Sequence, residues 1–263
     1  MHRFVDWGAR LGRAMRAAAR PMGALLISAV LPAICALGAA PGDGSASAIP
    51  TTEQVVARMM EADRRVTPAL RNYTSVRQYS LENLRFGNTA EITVRMSYRY
   101  PGHKEFRVLS GHGLMAIRTR VLHRMLESEL EAARDDLRDA TQITPQNYSF
   151  RLLGSAQLDG RNAFILEATP KVRSPFLFRG RVWVDAEDYA IARIEGTPAQ
   201  SPSFWVKKTA FVHQYGKFGP FWLAVSNHSD TDALIFGRTV VRIEYSDYRI
   251  NEHAEGVVAH GGP

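Results

Sequence analysis

The stretch from Gly180 to Asn251 limits what this chain can fold into more than any other. Gly180-Arg-Val-Trp-Val-Asp185 leads to a turn at Ala186-Glu-Asp188 and returns through Tyr189-Ala-Ile-Ala-Arg-Ile-Glu195. Phe204 to Tyr215, a Lys217-Phe-Gly-Pro220 turn, Phe221 to Asn227 and Thr239 to Asn251 follow in order. Each segment is short, rich in Val, Ile, Thr and aromatic residues, and bounded by Gly, Pro, Asp or Asn. That pattern predicts consecutive antiparallel strands joined by tight turns. Val182 and Val184 alternate with Arg181, Trp183 and Asp185, and Val241, Ile243 and Tyr245 alternate with Arg242, Glu244 and Ser246. Successive side chains of a strand point to opposite faces, so one face of this sheet is mostly apolar and the other mostly polar.

Upstream, the same reading extends the sheet and adds helices. Thr51 to Asp63 has helical periodicity, with Thr52 as the expected N-cap, an apolar stripe at Val55, Val56, Met59 and Met60, and Pro68 as the stop. Strands are expected at Tyr73–Asn83, Glu91–Tyr100 and Glu105–Ser110. In the second, Ile92, Val94, Met96 and Tyr98 alternate with Thr93, Arg95, Ser97 and Arg99. Between Ile117 and Leu137 the period changes: Leu122, Met125, Leu126, Leu130, Ala133 and Leu137 fall on one helical face. Strands resume at Asn147–Leu158 and Asn162–Thr169 around Asp159-Gly160, a strong hairpin signal. The expectation is a mainly β chain with two or more helices, built on one large curved antiparallel sheet rather than a βαβ array.

Charge and cysteine usage narrow the function. The formal net charge is +7 over 263 residues. Residues 1–48 hold five arginines against Asp6 and Asp43, so +3 of it lies there, and the remaining +4 is scattered without a Lys/Arg run. Nucleic-acid binding needs such charge gathered into a patch, and is excluded from the expected partners. Residues 1–48 have the order of a secretory signal: basic to Arg20, apolar from Met22 to Ala40, then small residues ending Ala46-Ser-Ala48. Cleavage near Ala48 and a periplasmic location are expected, with a retained anchor as the alternative. The lone Cys35 lies in that segment, so no disulfide or cysteine-ligated metal is expected beyond it. Residues 49–253 are then one domain, and 254–263 a Gly- and His-containing tail.

Catalytic signatures are missing from the sequence. Gly-x-Ser-x-Gly and His-Glu-x-x-His do not occur. Gly111-His-Gly113 precedes the long helix but does not open a parallel βαβ unit, so it is read as a turn rather than a dinucleotide loop. Asp185, Glu187 and Asp188 could serve a cation or acid–base chemistry, but a hairpin tip is where Asp bonds its own backbone. No cofactor and no metal are expected. The amphipathic helices admit two readings: simple packing onto the sheet, or a roof over an apolar cavity of the kind that holds acyl chains.

On Gly180-Arg-Val-Trp-Val-Asp185 with Tyr189 to Glu195, on Pro202-Ser-Phe-Trp205 and on Gly219-Pro-Phe-Trp-Leu223, the chain resembles the outer-membrane lipoprotein-sorting (LolA-like) superfamily of bacterial envelope proteins. The resemblance covers most of residues 50–251. It implies an unclosed β-barrel whose concave face is lidded by helices and holds lipid or lipoprotein acyl chains, in a monomer that meets inner- and outer-membrane protein partners. Other members sense envelope state, so an envelope-stress regulator or protein-interaction module is the alternative role. Strand alternation places Val94, Met96, Tyr98, Phe106, Phe164, Leu166, Val184, Ile194, Ile243 and Tyr245 on the expected cavity wall. The helix face places Leu122, Met125, Leu126 and Leu130 on the expected lid.

Overall fold

A computed structural model of the chain describes residues 49–113, 140–201, 206–235 and 237–252. The expected signal segment, the tail from 254 and the long helix with Leu122, Met125, Leu126 and Leu130 lie outside the described residues. So do Pro202-Ser-Phe-Trp205.

Helix α1 spans Thr52–Val66 and runs into a single 3-10 turn, Thr67–Ala69, at Pro68. Its N-cap is Thr51, one residue earlier than expected. The Thr51 hydroxyl accepts from the Gln54 amide at 3.3 Å, and the Gln54 side chain accepts from the Thr51 amide at 2.9 Å. This reciprocal capping box satisfies two of the donors that a helix start leaves open. It also frees Thr52, whose hydroxyl accepts from the Leu152 amide at 2.9 Å and ties the helix to a sheet edge. Where two or more helices were expected, α1 is the one α-helix among the described residues.

Ten strands follow, and all ten form one antiparallel sheet. They are β1 (Asn72–Asn83), β2 (Asn88–Arg99), β3 (His103–Gly113), β4 (Tyr148–Leu158), β5 (Arg161–Pro170), β6 (Phe178–Asp185), β7 (Ile191–Pro198), β8 (Val206–Phe218), β9 (Phe221–Ala233) and β10 (Gly237–Ile250). The order is β3-β2-β1-β10-β9-β8-β7-β6-β5-β4, so β1 pairs with the last strand, and β3 and β4 are the outermost strands of an unclosed sheet among the described residues. Gly111 to Gly113 complete β3 and do not form the expected turn. A Cβ on Gly113 (φ +91°) would meet the Thr89 carbonyl oxygen at 2.4 Å, so this glycine permits close strand approach.

The inner face is packed in two regions. Val55, Val56 and Met59 of α1 cluster with Tyr148, Leu166, Phe178, Val182, Val184 and Ile194, on the β4–β7 side. On the other side Tyr79, Leu81, Ile92, Val94, Val241 and Ile243 pack together, and Leu70, Tyr73 and Met96 form a third cluster with Phe221 and Leu223.

Three hairpin turns are tied by one charge network. The guanidinium of Arg161 donates to both carboxylate oxygens of Asp185, at 2.6 and 2.9 Å, and to Glu187 at 2.9 Å. Asp185, placed on the polar face by alternation, is 1% exposed. Its Oδ1 also accepts the amides of Glu187 and Asp188 at 3.0 and 2.8 Å. Asp188 in turn accepts from Trp222 Nε1 at 2.9 Å and forms an ion pair with Lys217 at 2.7 Å. Burial alone would raise the Asp185 carboxyl. The bonds from Arg161 and from the two amides outweigh it and hold the carboxyl below its ordinary value of 3.8.

Two predictions follow from this packing. Gly180 and Gly196 are paired across β6 and β7, and a Cβ on Gly180 would lie 2.0 Å from the Glu195 carbonyl oxygen. Gly180→Ala should therefore cost about 3 kcal/mol by chemical denaturation. An unchanged midpoint would show that these strands can separate without loss. Asp185→Asn leaves Arg161 without its buried partner and should cost about 3 kcal/mol at neutral pH. A carboxyl depressed in the folded state stabilises above its unfolded value, and that contribution drains away as pH falls through the folded one. The wild type should accordingly lose stability below about pH 4, and Asp185→Asn should lose less across that acid limb, read from melting temperature against pH.

Candidate ligand cavity

Helix α1 lies over one side of the inner face, and beside it the sheet curves around a cavity of about 710 Å³. From the helix side, Met59, Ala62, Asp63 and Val66 face it, the spacing of one helical stripe, and Leu70 continues that line past the 3-10 turn. Asp63 is held in place by the Thr67 hydroxyl, which donates to it at 2.9 Å. From the sheet side come Tyr73 and Arg77 of β1, Tyr98 of β2, Phe211, His213 and Tyr215 of β8, Ala224, Asn227 and Ser229 of β9, and Ile243, Tyr245 and Tyr248 of β10. Tyr189 and Trp222 close it toward the Arg161 network.

Aromatic rings dominate the wall. Tyr73 packs on Tyr98 at 5.0 Å and on Tyr248 at 5.7 Å between ring centres, and Tyr248 packs on Phe218 at 4.8 Å. Tyr248 reaches this face because β10 carries Asp247 at φ +52°, which shifts the register after Ser246. Its hydroxyl donates to the Ala224 carbonyl at 2.6 Å. Burial pushes the Tyr248 and Tyr215 phenols well above the usual range, so both stay neutral at physiological pH.

A polar strip crosses this wall. The register sets Ile243 of β10 against Asn227 of β9, and Asn227 against His213 of β8. One step along, Ser229 faces Phe211, and Thr209 also borders the cavity. Arg77 is 4% exposed, with its guanidinium 5.4 Å from the Phe106 ring centre and 5.1 Å from that of Tyr245. Sandwiched this way, a guanidinium keeps its charge inside an apolar wall. The cavity is thus suited to an amphiphile: extended apolar contact, with hydrogen-bonding groups along the sheet strip and at the border, where Asp63, Lys104, Gln142 and Asp188 line it.

The wall residues expected from alternation divide into three groups. Tyr98, Ile243 and Tyr245 line the cavity. Val94, Met96, Leu166, Val184 and Ile194 are fully buried in the packed clusters, and Phe106 and Phe164 are partly buried against those clusters. The strand pattern was blind to the polar strip because it assigned polar residues to the outer face. Phase could have found it, since Arg77 is in step with Tyr73 and Tyr79 along β1. The Asp185, Glu187 and Asp188 cluster is engaged in turn and ion-pair bonds, and among the described residues no group of three metal-ligating side chains occurs.

No protein-family model matches the sequence, and no curated protein does. Among solved structures, the chain is similar to a DUF1329 family protein from Desulfovibrio piger, at 13% identity and a TM-score of 0.45, over 77% of this chain and 94% of that one. It is also similar to a protein from Vibrio parahaemolyticus described as an outer membrane lipoprotein-sorting protein domain, at 12% identity and a TM-score of 0.42, over 78% of this chain and 94% of that one. A LolA superfamily protein from Nitrosomonas europaea is similar at 10% identity and a TM-score of 0.36, over 78% of this chain and 96% of that one.

Proposed function

We propose that this chain is a non-enzymatic carrier of lipid or lipoprotein acyl chains in the periplasm, exported by residues 1–48 and moving its cargo toward the outer membrane. The observation that carries this reading is the cavity of about 710 Å³ beside α1, with its aromatic wall crossed by a polar strip. That volume lies within the range of about 300–1,000 Å³ common to small-molecule sites. Each methylene moved from water into such a wall contributes about 0.8 kcal/mol, so some ten of them hold a chain by roughly 8 kcal/mol before ordering costs.

In this reading Tyr98, Ile243 and Tyr245 touch the acyl chain, together with Tyr73, Tyr248 and Met59. Asn227, Ser229, His213 and Arg77 receive the ester, hydroxyl or anionic groups where the chain joins its head. Val94, Met96, Phe106, Phe164, Leu166, Val184 and Ile194 stiffen the wall from its packed flanks. Leu122, Met125, Leu126 and Leu130 would close over the cargo as a lid. The domain doing this is residues 49–253, acting as a monomer that passes cargo between membrane protein partners.

The test is mass spectrometry of organic extracts from natively purified protein. Acyl lipids should be recovered from the wild type and lost from Ala224→Trp with an unchanged thermal melt, since Ala224 lines the cavity at the edge of the packed α1 cluster and an indole there takes up room the chain would need. Fatty ligands shortened by two methylenes should bind on the order of tenfold more weakly. Folded wild type that extracts without lipid, and binds no fatty ligand, would leave the carrier reading without support.

A further inference from the structure

Leaving aside the long β3–β4 connection, the eight short connections between successive strands differ in composition at the two ends of the sheet. Because all neighbouring strands are antiparallel, the connecting residues 84–87, 171–177, 199–201 and 234–235 lie at one end of the sheet. Those at 100–102, 159–160, 186–190 and 219–220 lie at the other. The described residues of the first group of short connections contain Arg85, Lys171 and Arg173 and no acid. The second contains Asp159, Glu187 and Asp188 and no lysine or arginine.

Apolar residues follow the same division. Leu84 and Phe86 are 47% and 56% exposed, Leu234 and Ile235 are each 49% exposed, and Val172 is 61% exposed, all at the basic end. The acidic end has no Leu, Ile, Val or Phe in its connections. Hairpin tips are ordinarily built from Gly, Asn, Asp and Pro, which suit both turn geometry and water. Large apolar side chains at a tip contribute little to folding when half of their surface stays wet, so their gathering at one end calls for an external partner.

The two apolar tips are also held side by side. The Leu84 amide donates to the Arg238 carbonyl at 2.9 Å, and Arg85 Nη1 donates to the Ile235 carbonyl at 2.8 Å. The Arg85 guanidinium lies over the Phe86 ring, 5.4 Å from its centre. The result is a pair of projecting apolar tips with a cation at their rim.

We propose that this end of the sheet docks on an anionic bilayer surface. Leu84, Phe86, Leu234 and Ile235 enter the headgroup–acyl boundary while Arg85, Lys171 and Arg173 lie among the phosphates. Interfacial binding of this kind adds apolar insertion to electrostatic attraction. A bilayer fits better than a protein partner because the apolar groups project from separate tips instead of lining a groove. The inference is independent of what the cavity carries.

The test uses the full chain with Cys35→Ser and one introduced cysteine bearing an environment-sensitive fluorophore: Phe86→Cys or Ile235→Cys at the docking end, Glu252→Cys at the other. With vesicles of phosphatidylethanolamine and phosphatidylglycerol, emission at 86 and 235 should shift to the blue and lose access to an aqueous quencher, and emission at 252 should not. An N-terminal anchor would bring all three probes near the membrane, so the difference between the ends is what counts. Leu234→Ser with Phe86→Ser, and separately Lys171→Glu with Arg173→Glu, should weaken the response about tenfold with unchanged thermal melts. Equal responses at all three positions, no response, or vesicle binding unmoved by both variant pairs would overturn the proposal. So would protection of 86 and 235 that depends on protein concentration without vesicles, which would assign the tips to self-association.

Discussion

A helix of 15 residues, about 22 Å long, has to serve a concave sheet of ten strands. It buries four side chains, Val55, Val56, Met59 and Ala62, and the cluster they join lies toward β4 to β7. On the opposite flank β1, β2 and β10 meet their own needs by curvature, with Tyr79, Ile92, Val94, Val241 and Ile243 packed on one another. Between a flank covered by a helix and a flank that covers itself lies the inner face of β8, β9 and β10, and that is where the cavity opens. Among the described residues, the cavity opens where the reach of α1 ends.

That geometry requires the surroundings of the cavity to hold their shape without a filled interior. The Arg161–Asp185 pair does part of this, because it joins the β4–β5, β6–β7 and β8–β9 turns through Glu187, Asp188, Lys217 and Trp222. Breaking a buried ion pair is costly even where forming it adds little net stability, so such a network favours one arrangement of the turns over others. Arg58 of α1 donates to the Tyr189 hydroxyl at 2.7 Å, which connects the helix to the same group of turns. Helix, turns and cavity border are therefore mechanically one unit.

All ten strands were legible from alternation and turn chemistry, because register and burial are coupled at a period of two. The ends were less so: β9 continues six residues past Asn227 to Ala233, since Ser229 and Thr231 sit on the inner face and no apolar residue announces them. The same blindness hid the polar strip. Alternation sorts residues by polarity, so it fails where a polar residue such as Arg77 points inward by design of the site rather than of the core. Bulges hid Tyr248, whose face depends on the positive φ of Asp247 and not on its spacing from Tyr245. Asp185 escaped because its burial depends on Arg161, a partner 24 positions away in the chain.

The choice of tyrosine over leucine around the cavity has a physical reason that also explains the polar strip. A wall of aliphatic side chains around 710 Å³ would be favourable when occupied and costly when empty, since a dry void forfeits contacts on every side and an apolar one does not hold water well. Tyrosine offers a ring for apolar contact and a hydroxyl for water or backbone, with little rotamer freedom to lose. Tyr248 uses its hydroxyl on the Ala224 carbonyl, leaving its ring to the wall. Asn227 and Ser229 line the same cavity with groups that can bond either to water or to the polar atoms of an amphiphile. A site built this way tolerates both states within the small stability margin of a folded domain. Were the cavity to carry an amphiphile, as proposed, release would require less energy than an all-aliphatic pocket would demand, because water could replace the ligand where its polar groups lay.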